Sequence, residues 1–342
     1  MKDNENLLNL RVVTIGGGTG GFILNRGLHA YPVKQTAICT VFDSGGSTGI
    51  LRDEFGALPQ GDIRRCMLAM AEDKDDTVRR LFNYRFQNGT GSSLSNHSLG
   101  NLLLLAAEKE WGHIDGIRRI SRLLGVRGQI LPISTDDAQL WAELSDGSLI
   151  EGESAIDVRP LDDERVVKKI WLKPSAFVRQ EAAEAIINAH VVALGPGDLY
   201  TSIIPNLLVG GVSEAIARSK ARVVYVSNLM TKWSETRDFN AVDFLEILLS
   251  YNVGREKVDM VLMNNEPISK ELVQLYREKD KSSFINYDET VAKELEVYAH
   301  KVVAANFLST NSLEQKLVRH GPSKLAKCIV DIGATHREEI GG

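Results

Sequence analysis

Five glycines in six residues, Gly16-Gly17-Gly18-Thr19-Gly20-Gly21, constrain the fold of this 342-residue chain more than any other feature. An apolar stretch, Leu10-Arg11-Val12-Val13-Thr14-Ile15, leads into them and reads as a buried strand. A helix-capable segment, from about Phe22 to Ala30, follows directly. In that order the glycines are chemical as well as flexible. A backbone without side chains can approach a phosphate closely, and the N–H groups and dipole at a helix start bind it. The expectation is a phosphate-bearing ligand near residue 18.

The alternation continues along the chain. Strand candidates run over Gln35 to Phe42, Gln129 to Ile133, Ala189 to Leu194, Arg222 to Ser227 and Val258 to Met263. Helical stretches such as Val178 to Asn188, Val242 to Leu249 and Lys270 to Tyr276 separate them. This predicts an α/β fold: a doubly wound, mostly parallel Rossmann-like sheet with helices on both faces. Two segments break the rhythm. Residues 61–125 read as helical throughout, with polar breaks at 73–76 and 88–93, and are expected to form a helical insertion at the ligand end of the sheet. From Gln139 to Ile156 the pattern alternates around Ser145-Asp146-Gly147-Ser148, a hairpin signal for a small antiparallel addition. No linker composition divides the chain, so one domain is expected over residues 10–335.

Composition narrows the partners. A net charge of -5 argues against a nucleic-acid binder, which carries a basic excess. The first residues include Asp3, Asn4, Glu5 and Asn6 and lack an apolar signal core. No apolar run is long enough to cross a bilayer, so no membrane insertion is expected. Cys39, Cys66 and Cys328 are odd in number and far apart, which gives neither a disulfide framework nor a zinc site. Reducing cytoplasm is the natural compartment.

Four loops carry the chemistry. Gly16, Gly18 and Gly21 satisfy G-x-G-x-x-G, and Asp43 ends the second strand where a dinucleotide fold places its ribose-binding acid. A nicotinamide-dependent oxidoreductase therefore stays open. A Walker A loop is excluded, because no Lys-Ser or Lys-Thr follows the last glycine. The second loop, Asp43-Ser44-Gly45-Gly46-Ser47-Thr48-Gly49, has no role in a dehydrogenase. It suits a diphosphate or a second phosphorylated substrate. The third is Gly195-Pro196-Gly197-Asp198, and the fourth Ser227-Asn228-Leu229-Met230-Thr231 with Ser234-Glu235-Thr236. Each has a plainer reading as a packing turn or helix cap. Together, at successive strand ends, they mark the ligand edge of an open sheet. The insertion adds Gln60-Gly61-Asp62-Ile63-Arg64-Arg65 and Asn96-His97-Ser98-Leu99-Gly100-Asn101, in which Asp62 and Ser98 are also candidate caps.

In this order, and with Leu199-Tyr200-Thr201-Ser202-Ile203-Ile204-Pro205-Asn206, the motifs resemble the CofD/YvcK family over about residues 11 to 335. The resemblance implies one of two activities. CofD is a 2-phospho-L-lactate transferase: it moves a phospho-lactyl or phosphoenolpyruvyl-type group from a nucleotide diphosphate donor to a deazaflavin, with a divalent metal. YvcK-type gluconeogenesis factors bind UDP-sugars and influence carbon metabolism and cell shape. The run Leu199 to Val209, the segment Ser227 to Thr231 and the C-terminal Val318-Arg319-His320 look more like the YvcK branch.

Departures from the family pattern, Thr48 for a second Ser and Arg237-Asp238-Phe239 for a Gly-Tyr stretch among them, favour binding over catalysis. Ser44 stands where the family has a second Asp, and Ile50 where it has an Arg. Asp243-Phe244 replaces an Asp-His pair. On this reading Gly16, Gly17, Gly18, Thr19 and Gly20, with Gly195, Pro196 and Gly197, hold a nucleotide diphosphate or UDP-sugar. Asp43, Gly45, Gly46 and Ser47 form the second cradle, and Asp43 is the candidate ligand for Mg²⁺. Asn228, Thr231 and Thr236 are assigned to ribose or base, and Arg64, His97 and Asn101 to the sugar or acceptor side. Arg319 is offered as a cation for the phosphate and Tyr276 as an aromatic face for the base. Asp43, Asp62, Arg64 and His97 are the candidates for any catalytic role. A homo-oligomer stays open.

Overall fold

The computed structural model describes residues 7–72, 76–87, 94–310 and 317–341. The acidic segment 3–6, and residues 73–75 and 88–93 of the two polar breaks, lie outside the described residues.

Seven strands form the main sheet: β1 Arg11–Gly16, β2 Lys34–Cys39, β3 Gln129–Pro132, β7 Val191–Leu194, β8 Arg222–Val226, β9 Val258–Asn264 and β10 Ala299–Ala305. Their order is β10-β9-β8-β7-β1-β2-β3, and every neighbouring pair is parallel. The chain winds outward from β1 to β3, then returns to β7 beside β1 and winds the other way. The crevice between β1 and β7 is therefore the switch point, and the loops that leave these two strands are the two Gly-rich turns.

Near-continuous apolar strands are what a sheet covered on both faces requires. Alternate residues of β1 enter different cores. Val12 packs with Leu24, Leu28, Leu325 and Ile329, under helices Gly18–Leu28 and Pro322–Glu339. Val13 and Ile15 join the opposite core, which includes Ile63 and Met67 of helix Gly61–Met70 and Ile186 of helix Gln180–Ile187. Pro322 opens its helix at the first turn, where a missing N–H costs nothing.

Between β2 and β3 lie helices Gly46–Phe55, Gly61–Met70, Thr77–Asn83, Leu99–Trp111 and His113–Leu123. Between β3 and β7 a second sheet forms from β4 Gln139–Leu144, β5 Leu149–Glu151 and β6 Val167–Lys173, antiparallel in the order β5-β4-β6. The hairpin expected there is present, and β6 makes it three-stranded. Two sequence expectations change. The second glycine segment is not all loop, since a helix starts at Gly46. The glycine-run helix starts at Gly18, earlier than Phe22.

Candidate functional site

A cleft of about 370 Å³ opens at the carboxyl end of the sheet. The first loop meets it at Gly18 and Thr19. Gly18 adopts φ +64°, the left-handed region that suits glycine. Its N–H donates to Asp62 Oδ1 at 2.8 Å, and Arg65 Nη1 donates to the same oxygen at 3.1 Å. Asp62 thus reaches back to cap the glycine loop and makes no cap bond to its own helix. Burial raises the pKa of this carboxyl, against the pull of Arg65 and the Gly18 N–H. The other glycines permit close approach of protein to protein. A Cβ on Gly20 would lie 2.3 Å from the Pro196 carbonyl oxygen, and one on Gly17 1.9 Å from Asp62 Oδ2. Gly16, Gly17, Gly20, Gly195, Pro196 and Gly197 are accordingly the joint between the first and third loops, behind the lining of the cleft.

The second loop contributes Asp43, Gly45, Gly46, Ser47 and Thr48. Asp43 Oδ1 accepts the Gly45 N–H at 2.8 Å and turns the chain into its helix. Ser47 Oγ lies 2.9 Å from His97 Nδ1 and accepts from Asn101 Nδ2 at 3.1 Å. Arg64 Nε donates to Asn101 Oδ1 at 3.0 Å, and another Arg64 nitrogen to Asn83. Ser98 caps its helix by accepting the Asn101 N–H at 3.2 Å, as its sequence position suggests. His97 is 3% exposed and supports Ser47 from behind; Arg64 and Asn101 reach the cleft, with Arg65 and Arg85 beside them. Burial lowers the Arg64 guanidinium to about 10, so it stays charged at neutral pH.

Carboxylates gather on the facing side. Helix Glu153–Asp157, carried by the antiparallel sheet, brings Glu153, Ser154 and Asp157 to the cleft. Ser44 is engaged here, its Oγ accepting the Ser154 N–H at 3.1 Å. Burial, then the charge of Asp43, pushes Glu153 up to about 9, and the two carboxyls share a hydrogen bond. Oxygens of Asp157, Asp198 and Glu235 lie within 4.8 Å of one another. The Lys232 ammonium sits among them, paired with Asp157, with Asp198 at 2.8 Å and with Glu235 at 3.4 Å. Glu235 accepts the Tyr200 N–H and the Thr201 hydroxyl, both at 2.8 Å. Burial, then the Asp198 charge, raises it to about 8.

The remaining candidates serve the loops themselves. Asn228 Nδ2 donates to the Gly197 carbonyl at 2.9 Å. Thr231 Oγ1 accepts from Ser283 N–H at 2.8 Å, and Thr236 Oγ1 from Lys232 N–H at 3.0 Å. Tyr276 is not a face offered to a base: its hydroxyl accepts the Val318 N–H at 2.9 Å, and it packs with Leu272 and Leu308. Arg319 is exposed and lies outside the cleft lining. Glu153, Ser154, Asp157, Arg85 and Thr40 carry no signal in the sequence: Thr40 lies within the apolar stretch that reads as the second strand, and the others sit away from the glycine-rich strand ends.

Asp43, Glu153 and Thr40 present only oxygen, the donor type Mg²⁺ takes. The Thr40 hydroxyl is buried without a hydrogen-bond partner, an unsatisfied group at the cleft that a cation could engage. These residues fit such an ion.

The family described as 2-phospho-L-lactate transferase CofD matches residues 12–308. A gluconeogenesis factor from Halalkalibacterium halodurans is 41% identical over 323 residues, covering 94% of this chain and 95% of that protein. The Bacillus subtilis gluconeogenesis factor is 36% identical over 326 residues, covering 94% and 98%. A crystal structure of a Bacillus halodurans protein superposes with a TM-score of 0.85 at 39% identity, covering 94% of this chain and 99% of that one. The chain belongs to the CofD family, and these relatives are gluconeogenesis factors, the YvcK type. No described helix is long and apolar enough to cross a membrane.

Proposed function

We propose that this protein binds a nucleotide sugar of the UDP type and regulates carbon metabolism and cell shape from the cytoplasm, without catalysing group transfer. One observation carries the reading. Both glycine loops and three arginines of the insertion, Arg64, Arg65 and Arg85, face one cleft at the switch point of the sheet. The arginines supply the charge for a diphosphate, and the helix starts at Gly18 and Gly46 supply N–H donors. Asp43, Glu153 and Thr40 would hold Mg²⁺, which supplies positive charge between the carboxylates and the phosphates. The relatives' names support the metabolic role.

A thermal-shift panel of UDP-glucose, UDP-N-acetylglucosamine, GDP, NADH and ATP tests this. A ligand that binds the native state raises Tm. The expected result is the largest shift with a UDP-sugar. A shift with NADH alone would replace this reading with the oxidoreductase.

The second reading, CofD-type transfer, draws on the family description and the oxygen set at Asp43. Against it, Ser44 is spent on Ser154, Ile50 offers no charge, and Phe244 is fully buried against Phe239. With donor, deazaflavin and Mg²⁺ supplied, no turnover is expected. Turnover abolished by Asp43→Asn would establish the transferase.

A further inference from the structure

We infer that Cys39 and Cys66 are an oxidisable pair that closes reversibly into a disulfide beneath the glycine loop. Twenty-seven residues apart in sequence, they carried no pairing signal there. Cys39 ends β2 and Cys66 lies on helix Gly61–Met70, whose first turn holds Asp62. In the fold the Cys39 thiol donates to Cys66 Sγ at 3.1 Å. A disulfide bond is about 2.05 Å long, so the sulfurs need to approach by about 1 Å.

The environment orders the chemistry. Cys39 is wholly buried and Cys66 is 4% exposed, so the oxidant meets Cys66. The Cys39 thiol, out of the oxidant's reach and already in contact with Cys66 Sγ, is placed as the resolving partner. The oxidant is a small hydroperoxide. The Cys66 thiolate attacks one peroxide oxygen, breaking the O–O bond, and leaves a sulfenic acid and hydroxide. Cys39 sulfur then attacks the sulfenic sulfur. The S–S bond forms, the S–O bond breaks, and the Cys39 proton leaves with the oxygen as water. Two thiols give up two electrons to one peroxide.

The pair is wired to the cleft. Asn25, on the glycine-loop helix, donates to Cys66 Sγ at 3.7 Å, and the Cys39 thiol also reaches the Asp62 carbonyl at 3.9 Å. The Asp62 carboxylate holds the Gly18 N–H. Drawing the sulfurs together shifts the turn that bears Asp62 against the glycine loop.

The test treats the folded full-length protein with graded hydrogen peroxide, quenches with catalase, alkylates free thiols after unfolding, and maps peptides without reduction. The expected product is a Cys39–Cys66 cross-linked peptide that dithiothreitol reverses, with altered amide exchange over Gly16 to Gly21. In Cys39→Ser, Cys66 should accumulate as a sulfenic acid trapped by dimedone. Recovery of Cys39 and Cys66 as free thiols at every dose short of lost circular dichroism would overturn the proposal. So would a cross-link to Cys328 in their place. Unchanged exchange in the cross-linked protein would overturn the link to the cleft.

Discussion

The two walls of the cleft come from different parts of the chain and carry opposite charge. The insertion wall presents Arg64, Arg65 and Arg85. The facing wall presents Glu153, Asp157 and Asp198, with Glu235 behind them. Each wall relieves its own burial differently. Arg64 leans on neutral amides, Asn101 and Asn83, and so keeps an unneutralised charge for a ligand. The carboxylates share protons with each other or surround Lys232, so most of their charge is already answered. The difference assigns direct charge contact with the ligand to one wall; the other supports itself and meets the ligand only through a cation held at Asp43 and Glu153. Asp62 is the exception on the insertion side, spent on Gly18 and Arg65.

The largest expected effect breaks the joint beneath both walls. Gly20→Ala places a methyl against the Pro196 carbonyl, a backbone atom that cannot rotate away. Urea unfolding should show a loss of about 3 kcal/mol, in the upper range for overpacking. Unchanged stability would mean that the first and third loops do not pack as described.

Next comes the comparison of the walls themselves. Arg64→Gln should weaken UDP-sugar binding on the order of a hundredfold in calorimetry, because the ligand's diphosphate loses a buried cationic partner. Asp198→Asn should change the same Kd by less than about threefold, since its charge is met by Lys232. Equal losses in the two variants would erase the distinction between the walls.

The sequence exposed the half of this arrangement that follows local rules. Glycine runs, strand hydrophobicity and Ser98 capping are local, and the sheet, the insertion and the cleft's first three loops follow from them. What stayed hidden depends on long-range placement. Nothing near Glu153 marks it as a cleft residue; the antiparallel sheet delivers it there. The edge strand β10, whose Ala299 is buried but His300 and Lys301 are exposed, lacks the apolar run of a central strand. Residue type cannot place Tyr276 or Arg319: the Tyr276 hydroxyl is taken by the Val318 N–H, and Arg319 is exposed outside the cleft lining. The sequence allows the glycine loop both ligand approach and tight packing without saying which glycine serves which. The loop's neighbours show that Gly17 and Gly20 are required by Asp62 and Pro196.

That distinction separates Gly18 from Gly20. A Cβ at Gly18 meets only Ser202 Oγ, at 3.4 Å, but the residue holds φ +64°. Gly18→Ala should therefore cost about 1–2 kcal/mol of stability through backbone strain, less than Gly20→Ala. It should also weaken the UDP-sugar, as the residue lies at the cleft. Unaltered affinity in the folded variant would remove this loop from the binding wall.

The smallest effect tests the proton economy of the acidic wall. Glu153 is raised from 4.5 to about 9 in the folded protein, and Glu235 from 4.5 to about 8. In both cases the native state keeps a proton that the unfolded chain has released. Stability from these groups is therefore full below about pH 4.5 and declines as pH rises toward 8 to 9. Glu153→Gln keeps a donor for Asp43 but cannot ionise. Urea midpoints measured from pH 5 to 9 should fall less steeply in the variant than in the wild type, and at pH 8 the variant should be the more stable by on the order of 1 kcal/mol. The residual slope belongs to Glu235, which still releases its proton near the top of this range. A variant as steep as the wild type would show that Glu153 is already ionised at neutral pH. The facing wall would then carry a free negative charge toward the arginines, and the division of labour between the walls would fail at its acidic side.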